Sequence, residues 1–153
     1  MAKGNSTQFE RFKAQMAVLV PLVRRLREEF GEAKADALVG EVLDAEARTQ
    51  GERLAAAGRV NRESIWRGAE VFAAGGAMEF ETVSESESEF GFDVRRCSYA
   101  EHMEKIGATD LGPLLACGAD APTAEGMGIA FERRQTLITG GSCCDFRYRV
   151  DSN

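Results

Sequence analysis

The feature that most limits what this chain can fold into is a change of hydrophobic period near residue 77. Before it, Phe9, Phe12, Met16, Leu19, Val23, Leu26 and Phe30 recur at alternating spacings of three and four. That places them on one stripe of an amphipathic helix. Ser6 or Thr7 can cap its start and Gly31 can end it. Pro21 falls inside the stripe, so a kink or a division is expected there. Glu32 to Ala57 reads as a second helix carrying Leu38, Val42 and Leu54, with Gly58 as its stop. Asn61 can cap a third, short helix with Ile65, Trp66 and Phe72, ended by Gly75-Gly76. After residue 77 the period becomes two. Met78, Phe80 and Thr82 alternate with Glu79, Glu81 and Val83, and Phe90, Phe92 and Val94 with Gly91, Asp93 and Arg95. Two strands joined through the acidic turn Ser84 to Glu89 are expected.

The remainder mixes the two periods. Cys97 to Ala116 has helical composition, and Gly107 and Gly112-Pro113 split it into two short helices. Gly118 to Gly128 reads as a loop. Ile129, Phe131, Arg133, Gln135 and Leu137 share one face of an expected strand. Gly140-Gly141-Ser142 turns the chain. Cys144, Phe146, Tyr148 and Val150 then lie opposite Cys143, Asp145, Arg147 and Arg149. The expected fold is α+β: N-terminal helices, then a four-stranded antiparallel sheet with two short helices inserted between its hairpins. We read 1–153 as a single domain, 1–76 its helical part and 77–153 its α+β part.

Charge and composition exclude some functions. A net charge of -6 does not suit a general nucleic-acid binder. The longest apolar run, Ala17 to Val23, falls far short of the ~20 residues a membrane helix needs. The N-terminal residues show no hydrophobic signal segment, so a cytoplasmic protein without a membrane or nucleic-acid partner is expected. In that compartment four cysteines, at 97, 117, 143 and 144, read as thiols, ligands or catalytic groups and not as disulfides.

Several late motifs occur in a fixed order: Arg96-Cys97-Ser98-Tyr99-Ala100, Leu111-Gly112, Cys117-Gly118-Ala119-Asp120, Ala124-Glu125-Gly126, and the run Arg134-Gln135-Thr136 through Gly140 to Cys144-Asp145-Phe146-Arg147-Tyr148. Together, from about Phe92 to Val150, they resemble the L-2-amino-thiazoline-4-carboxylic acid hydrolases. The resemblance implies a hydrolase acting on the C–N system of a cyclic amidine. Water would add at the amidine carbon of a 2-amino-thiazoline carboxylic acid or an analogue, giving a carbamoyl-cysteine. Cys143, beside Cys144, stands at a position expected to vary in that family, and His102 is not a required part of its pattern.

Such a reaction needs a group that attacks or activates attack on a C=N carbon, and a proton for the leaving group. Cys144 is the first choice of nucleophile. Asp145 or Asp120 can hold an amidinium, Cys117 can assist, and His102, the single histidine, titrates near neutrality. Arg134 and Arg147 are candidates for a substrate carboxylate. Glu125 is a candidate acid or base, and Cys97 and Tyr99 are candidates to line the pocket. Strand alternation raises an objection: Cys144 and Asp145 point to opposite faces unless the glycine turn breaks the pattern. No cofactor is called for, although Cys97, His102, Cys117 and Cys144 have the chemistry of a zinc site, which leaves a zinc-dependent hydrolase as an alternative. Another is a non-catalytic small-ligand sensor, since the layout also resembles vinyl-reductase-type ligand-binding domains. A third is a homo-oligomer pairing through the N-terminal helices, redox-active or purely structural.

Overall fold

A computed structural model describes residues 6–86 and 88–150. Residues 1–5, read above for a signal segment, and Glu87 of the acidic turn lie outside them. The first helix, α1, runs Gln8–Phe30. Thr7 and Glu10 cap it reciprocally. The Glu10 amide donates to Thr7 Oγ1 at 3.1 Å, and the Thr7 amide to Glu10 Oε2 at 2.7 Å. Pro21 does not divide α1. Phe12, Met16, Val20 and Val23 are buried on both sides of it, and that burial offsets the one missing backbone bond.

Helix α2 spans Glu32–Ala57 and α3 spans Arg62–Ala73, the latter capped by Asn61 through the Ser64 amide at 3.0 Å. Arg27 clasps the α1–α2 corner, donating to both oxygens of Asp36 at 2.8 and 2.7 Å and to Asp110 at 2.8 Å. The expected coiled-coil seam is used within the chain: Phe12, Met16 and Val23 pack with Tyr99, Met103, Leu111 and Ile138. Among the described residues no helix is long and apolar enough to cross a membrane.

The sheet holds β1 (Met78–Glu85), β2 (Glu89–Cys97), β3 (Ala130–Glu132) and β4 (Cys144–Arg149) in the order β1-β2-β4-β3, every pair antiparallel. One face is apolar. Phe90, Phe92, Val94 and Cys144 are buried there under Ile65 and Ala69 of α3, with Trp66, Phe80, Phe146 and Tyr148 packed around them. The register between β1 and β2 shifts twice, between Thr82 and Ser84 and again near the end of β2. Glu79 pairs with Arg96, but Phe80 pairs with Val94, so Arg95 is an extra residue. Met78, on the same side of β1 as Phe80, pairs with Cys97. The bulge therefore brings Cys97 onto the apolar face beside Val94. Uninterrupted alternation would have sent it to the polar face with Asp93.

Between β2 and β3 lie α4 (Ser98–Lys105), α5 (Gly112–Leu115) and a third helix, α6 (Asp120–Gly126), where a loop was expected. Proline is tolerated in a first turn, and Pro122 sits there. Contact with α2 supplies the rest of the order. A Cβ on Gly51 would come 2.1 Å from the Thr123 carbonyl oxygen, and one on Gly126 would come 2.0 Å from that of Arg48. Only glycines allow this backbone-to-backbone crossing.

The strand expected over 129–137 is also shorter, ending at Glu132. Asp145 Oδ1 accepts the amides of Arg134 and Gln135 at 3.0 and 2.8 Å, which takes them out of the ladder. Leu137 enters a 3-10 turn, Leu137–Thr139, closed by Gly140 at φ 88°.

Candidate functional site

Three of the four cysteines converge with one carboxylate and one guanidinium. Cys97 ends β2, Cys117 follows α5, Cys144 begins β4, Asp120 begins α6 and Arg133 follows β3. Each thiol interacts electrostatically with Asp120, and Cys117 and Cys144 also with Arg133. Arg133 donates to Asp120 and, at 3.0 Å, to the carbonyl oxygen of Cys117. Its guanidinium lies over the rings of Phe131 at 5.9 Å and Phe146 at 5.4 Å, in cation–π contact.

Burial sets the protonation states. It pushes all three thiols up, Cys117 to about 12, so each rests as the neutral thiol. Two features oppose it in part: the amides of Tyr99 and Ala100 favour a thiolate at Cys97, and the Leu137 amide donates to Cys144 Sγ at 3.2 Å. Burial also raises the Asp120 carboxyl, ahead of the downward pull of Arg133. Yet 35% of the Asp120 side chain stays accessible. Two surface clefts flank the sheet, and one of them reaches the set. One, of about 380 Å³, has Cys97, Ala100 and Leu137 in its wall. The other, of about 410 Å³, opens on the polar side of the sheet, with Ser84, Glu132, Arg147 and Arg149 in its wall.

The remaining candidates stand apart. Asp145 points to the other face, where it holds the Arg134–Gln135 backbone. Arg134 is exposed and pairs with Glu132 at 2.9 Å. Arg147 lies on the polar face, bonded to Asp93 at 2.8 Å and to the carbonyls of Phe92 and Phe146. Glu125 is exposed and ties α6 to Arg48 of α2 at 2.9 Å. Tyr99 packs on Phe9 and Phe12, and its hydroxyl donates to the Phe72 carbonyl at 3.0 Å. His102 sits edge-on to Phe9 and Phe12, its pKa lowered by burial and by Lys13 and Lys105. The set Cys97, His102, Cys117 and Cys144 therefore does not gather. Among the described residues no three of His, Cys, Asp or Glu are disposed to hold a metal ion.

Arg133 is the member that sequence reasoning passed over in favour of its neighbour Arg134. A signal existed: it is the one charged residue on the strand face otherwise made of Ile129, Phe131, Gln135 and Leu137.

Helices over one face of a four-stranded antiparallel sheet, with a sulfur- and aromatic-lined polar pair between them, define a small α+β protein. The chain belongs to the L-2-amino-thiazoline-4-carboxylic acid hydrolase family, whose sequence model matches residues 10–148. No curated protein matches it. Among solved structures it is similar to the phenol-responsive sensory domain of the transcription activator PoxR, determined with phenol. The two share 14% identity and a TM-score of 0.54, over 88% of this chain and 73% of that one. At that identity the likeness concerns the fold alone.

Proposed function

We propose that this chain binds a small carboxylated cyclic amidine or isothiourea, of the 2-amino-thiazoline-4-carboxylate type, at Asp120 and Arg133 and hydrolyses its ring. The observation that carries the reading is the Asp120–Arg133 pair, set among three thiols and the rings of Phe131 and Phe146. An amidinium complements Asp120, and a carboxylate complements Arg133. A zwitterionic ligand can thus replace the internal pair with two equivalent ones.

In the proposed course, water adds to the C=N carbon and Asp120 takes its proton. The C–O bond forms, the bond from that carbon to the ring sulfur breaks, and Asp120 returns the proton to the departing sulfur. The product is a carbamoyl-cysteine and nothing else is consumed. A carboxyl raised by burial is suited to this exchange near neutrality. The neutral thiols of Cys97, Cys117 and Cys144 line the site as weak donors. Cys144 becomes the nucleophile only if Asp120 first removes its proton. Asp145, Arg134, Arg147 and Glu125 are assigned to holding strand, loop and helix in place.

The test is incubation of the purified chain with 2-amino-thiazoline-4-carboxylate, followed by chromatographic detection of carbamoyl-cysteine. Turnover is expected, and Asp120→Asn should lower kcat by about a hundredfold or more. Absence of both turnover and binding in the wild type sinks the reading. A covalent mass adduct lost in Cys144→Ala would instead assign the nucleophile to that cysteine. A second reading, a non-catalytic ligand-binding domain, is favoured by the absence of an activated thiolate among the three cysteines and by the likeness to a sensory domain. A ligand that raises the melting temperature without being consumed would select it.

A further inference from the structure

We propose that the Tyr148 hydroxyl is a ligand-binding donor of the Asp120–Arg133 site and selects ligands that present an acceptor to it. The inference rests on the site proposed above and adds a residue to it. Tyr148 lies on β4 on the same face as Cys144 and Phe146. Its ring is held on several sides. Phe146 and Phe92 stack beside it at 6.4 and 6.2 Å, with interplanar angles of 22° and 29°, and Phe131 packs at 5.0 Å. A ring so confined points its hydroxyl in one direction. Arg133 lies over two of the rings that flank Tyr148, Phe131 at 5.9 Å and Phe146 at 5.4 Å, so the hydroxyl is close to the polar pair, with which it also interacts electrostatically.

A tyrosine hydroxyl in the interior almost always finds a partner. The other tyrosine does: Tyr99 donates to Phe72. Among the described residues the Tyr148 hydroxyl makes no hydrogen bond, and no sealed side-chain oxygen or nitrogen lacks one. The oxygen of Tyr148 is therefore not sealed, while its ring is packed among Phe92, Phe131 and Phe146. Both terminal nitrogens of Arg133 are already engaged, with Asp120 and with the Cys117 carbonyl. Tyr148 thus offers a fixed, uncommitted donor beside a committed ion pair. Its match is a small planar ligand with a carboxylate or ring-nitrogen acceptor. Pre-orientation by the aromatic ring stack removes most of the ordering cost of binding.

The experiment compares wild type and Tyr148→Phe with 2-amino-thiazoline-4-carboxylate as the probe. Binding is read by calorimetry, and KM and kcat are read where turnover occurs. Affinity should fall about tenfold or more, with KM carrying most of the loss. The melting temperature should hold or rise slightly, because the hydroxyl removed has no partner in the fold. In wild type labelled with carbon-13 at the tyrosine ζ position, one of the two tyrosine signals should shift when the probe is added. That measurement decides the matter even if the variant folds poorly. A wild type that binds the probe with equal affinity in Tyr148→Phe, or with neither tyrosine signal moving, overturns this inference and leaves the site reading intact. A wild type that does not bind the probe overturns both.

Discussion

Gly126 of α6 rests on the main chain of Arg48 in α2, where a single added methyl group would come 2.0 Å from the Arg48 carbonyl oxygen. Gly51 makes the reciprocal contact against Thr123. Asp120 begins the helix that these two glycines hold, so its position is set by a crossing that lies away from the site itself. Gly126→Ala and Gly51→Ala must each push the helices apart. A loss of about 1–3 kcal/mol is expected for either, as for overpacking elsewhere. Urea unfolding checks it. A midpoint unmoved in both variants would mean that the two backbones are not in contact.

Asp145 should make the fold sensitive to acid. Burial alone would raise its carboxyl, but the amides of Gln135 and Arg134 overcome that effect and hold it below the ordinary value. The sign follows from a depressed folded-state pKa. The stabilisation is complete above the unfolded value, about 3.9, and is lost as pH falls through the lower folded one. Asp145→Asn should therefore lower the melting temperature at pH 7, and the gap to wild type should close toward pH 2. A gap that stays constant across that window would assign the effect to something other than ionisation.

The thiols should be slow. All four are pushed above the usual cysteine value by burial, and Cys143 and Cys144 are 3% and 7% exposed. With an aromatic disulfide reagent at pH 7.5, the native protein should react over minutes to hours, Cys97 first because it lines a surface cleft. Four thiols should appear at once after unfolding. A fast native thiol mapped to Cys117 or Cys144 would show that one of them is activated, and would favour covalent catalysis.

Much of the architecture was legible in the residues because it is carried by period. The stripe from Phe9 to Phe30 repeats often enough to survive Pro21, and the alternation from Met78 to Val94 often enough to mark its strands. Short segments were read less well. Residues 118–128 carry glycine, alanine and proline, the marks of a loop, yet Asp120–Gly126 among them is helical because α2 lies against it. Residues 133–137 have strand alternation, but the side chain of Asp145 claims two of their amides. The site was half legible. Cys97, Cys117, Cys144 and Asp120 were named from the motifs, and alternation correctly turned Asp145 away from Cys144. The signal for Arg133 was present but outweighed by the family run that begins one residue later. Tyr148 was read as part of an apolar strand face, which its ring is; only its surroundings distinguish the hydroxyl.

The extra residue in β2 has a consequence for how this site can be inherited or lost. Deleting Arg95 would only straighten the strand and leave Cys97 opposite Met78 on the apolar face. A strand that kept Arg95 but ran without the bulge would turn Cys97 to the opposite side, without altering any residue of the site. A relative could then keep every cysteine, aspartate and arginine named here and still lack the thiol grouping. Alignments that score identities would group the two together, because their lengths would agree. In this protein the bulge of the strand, and not the residues alone, sets which thiols meet.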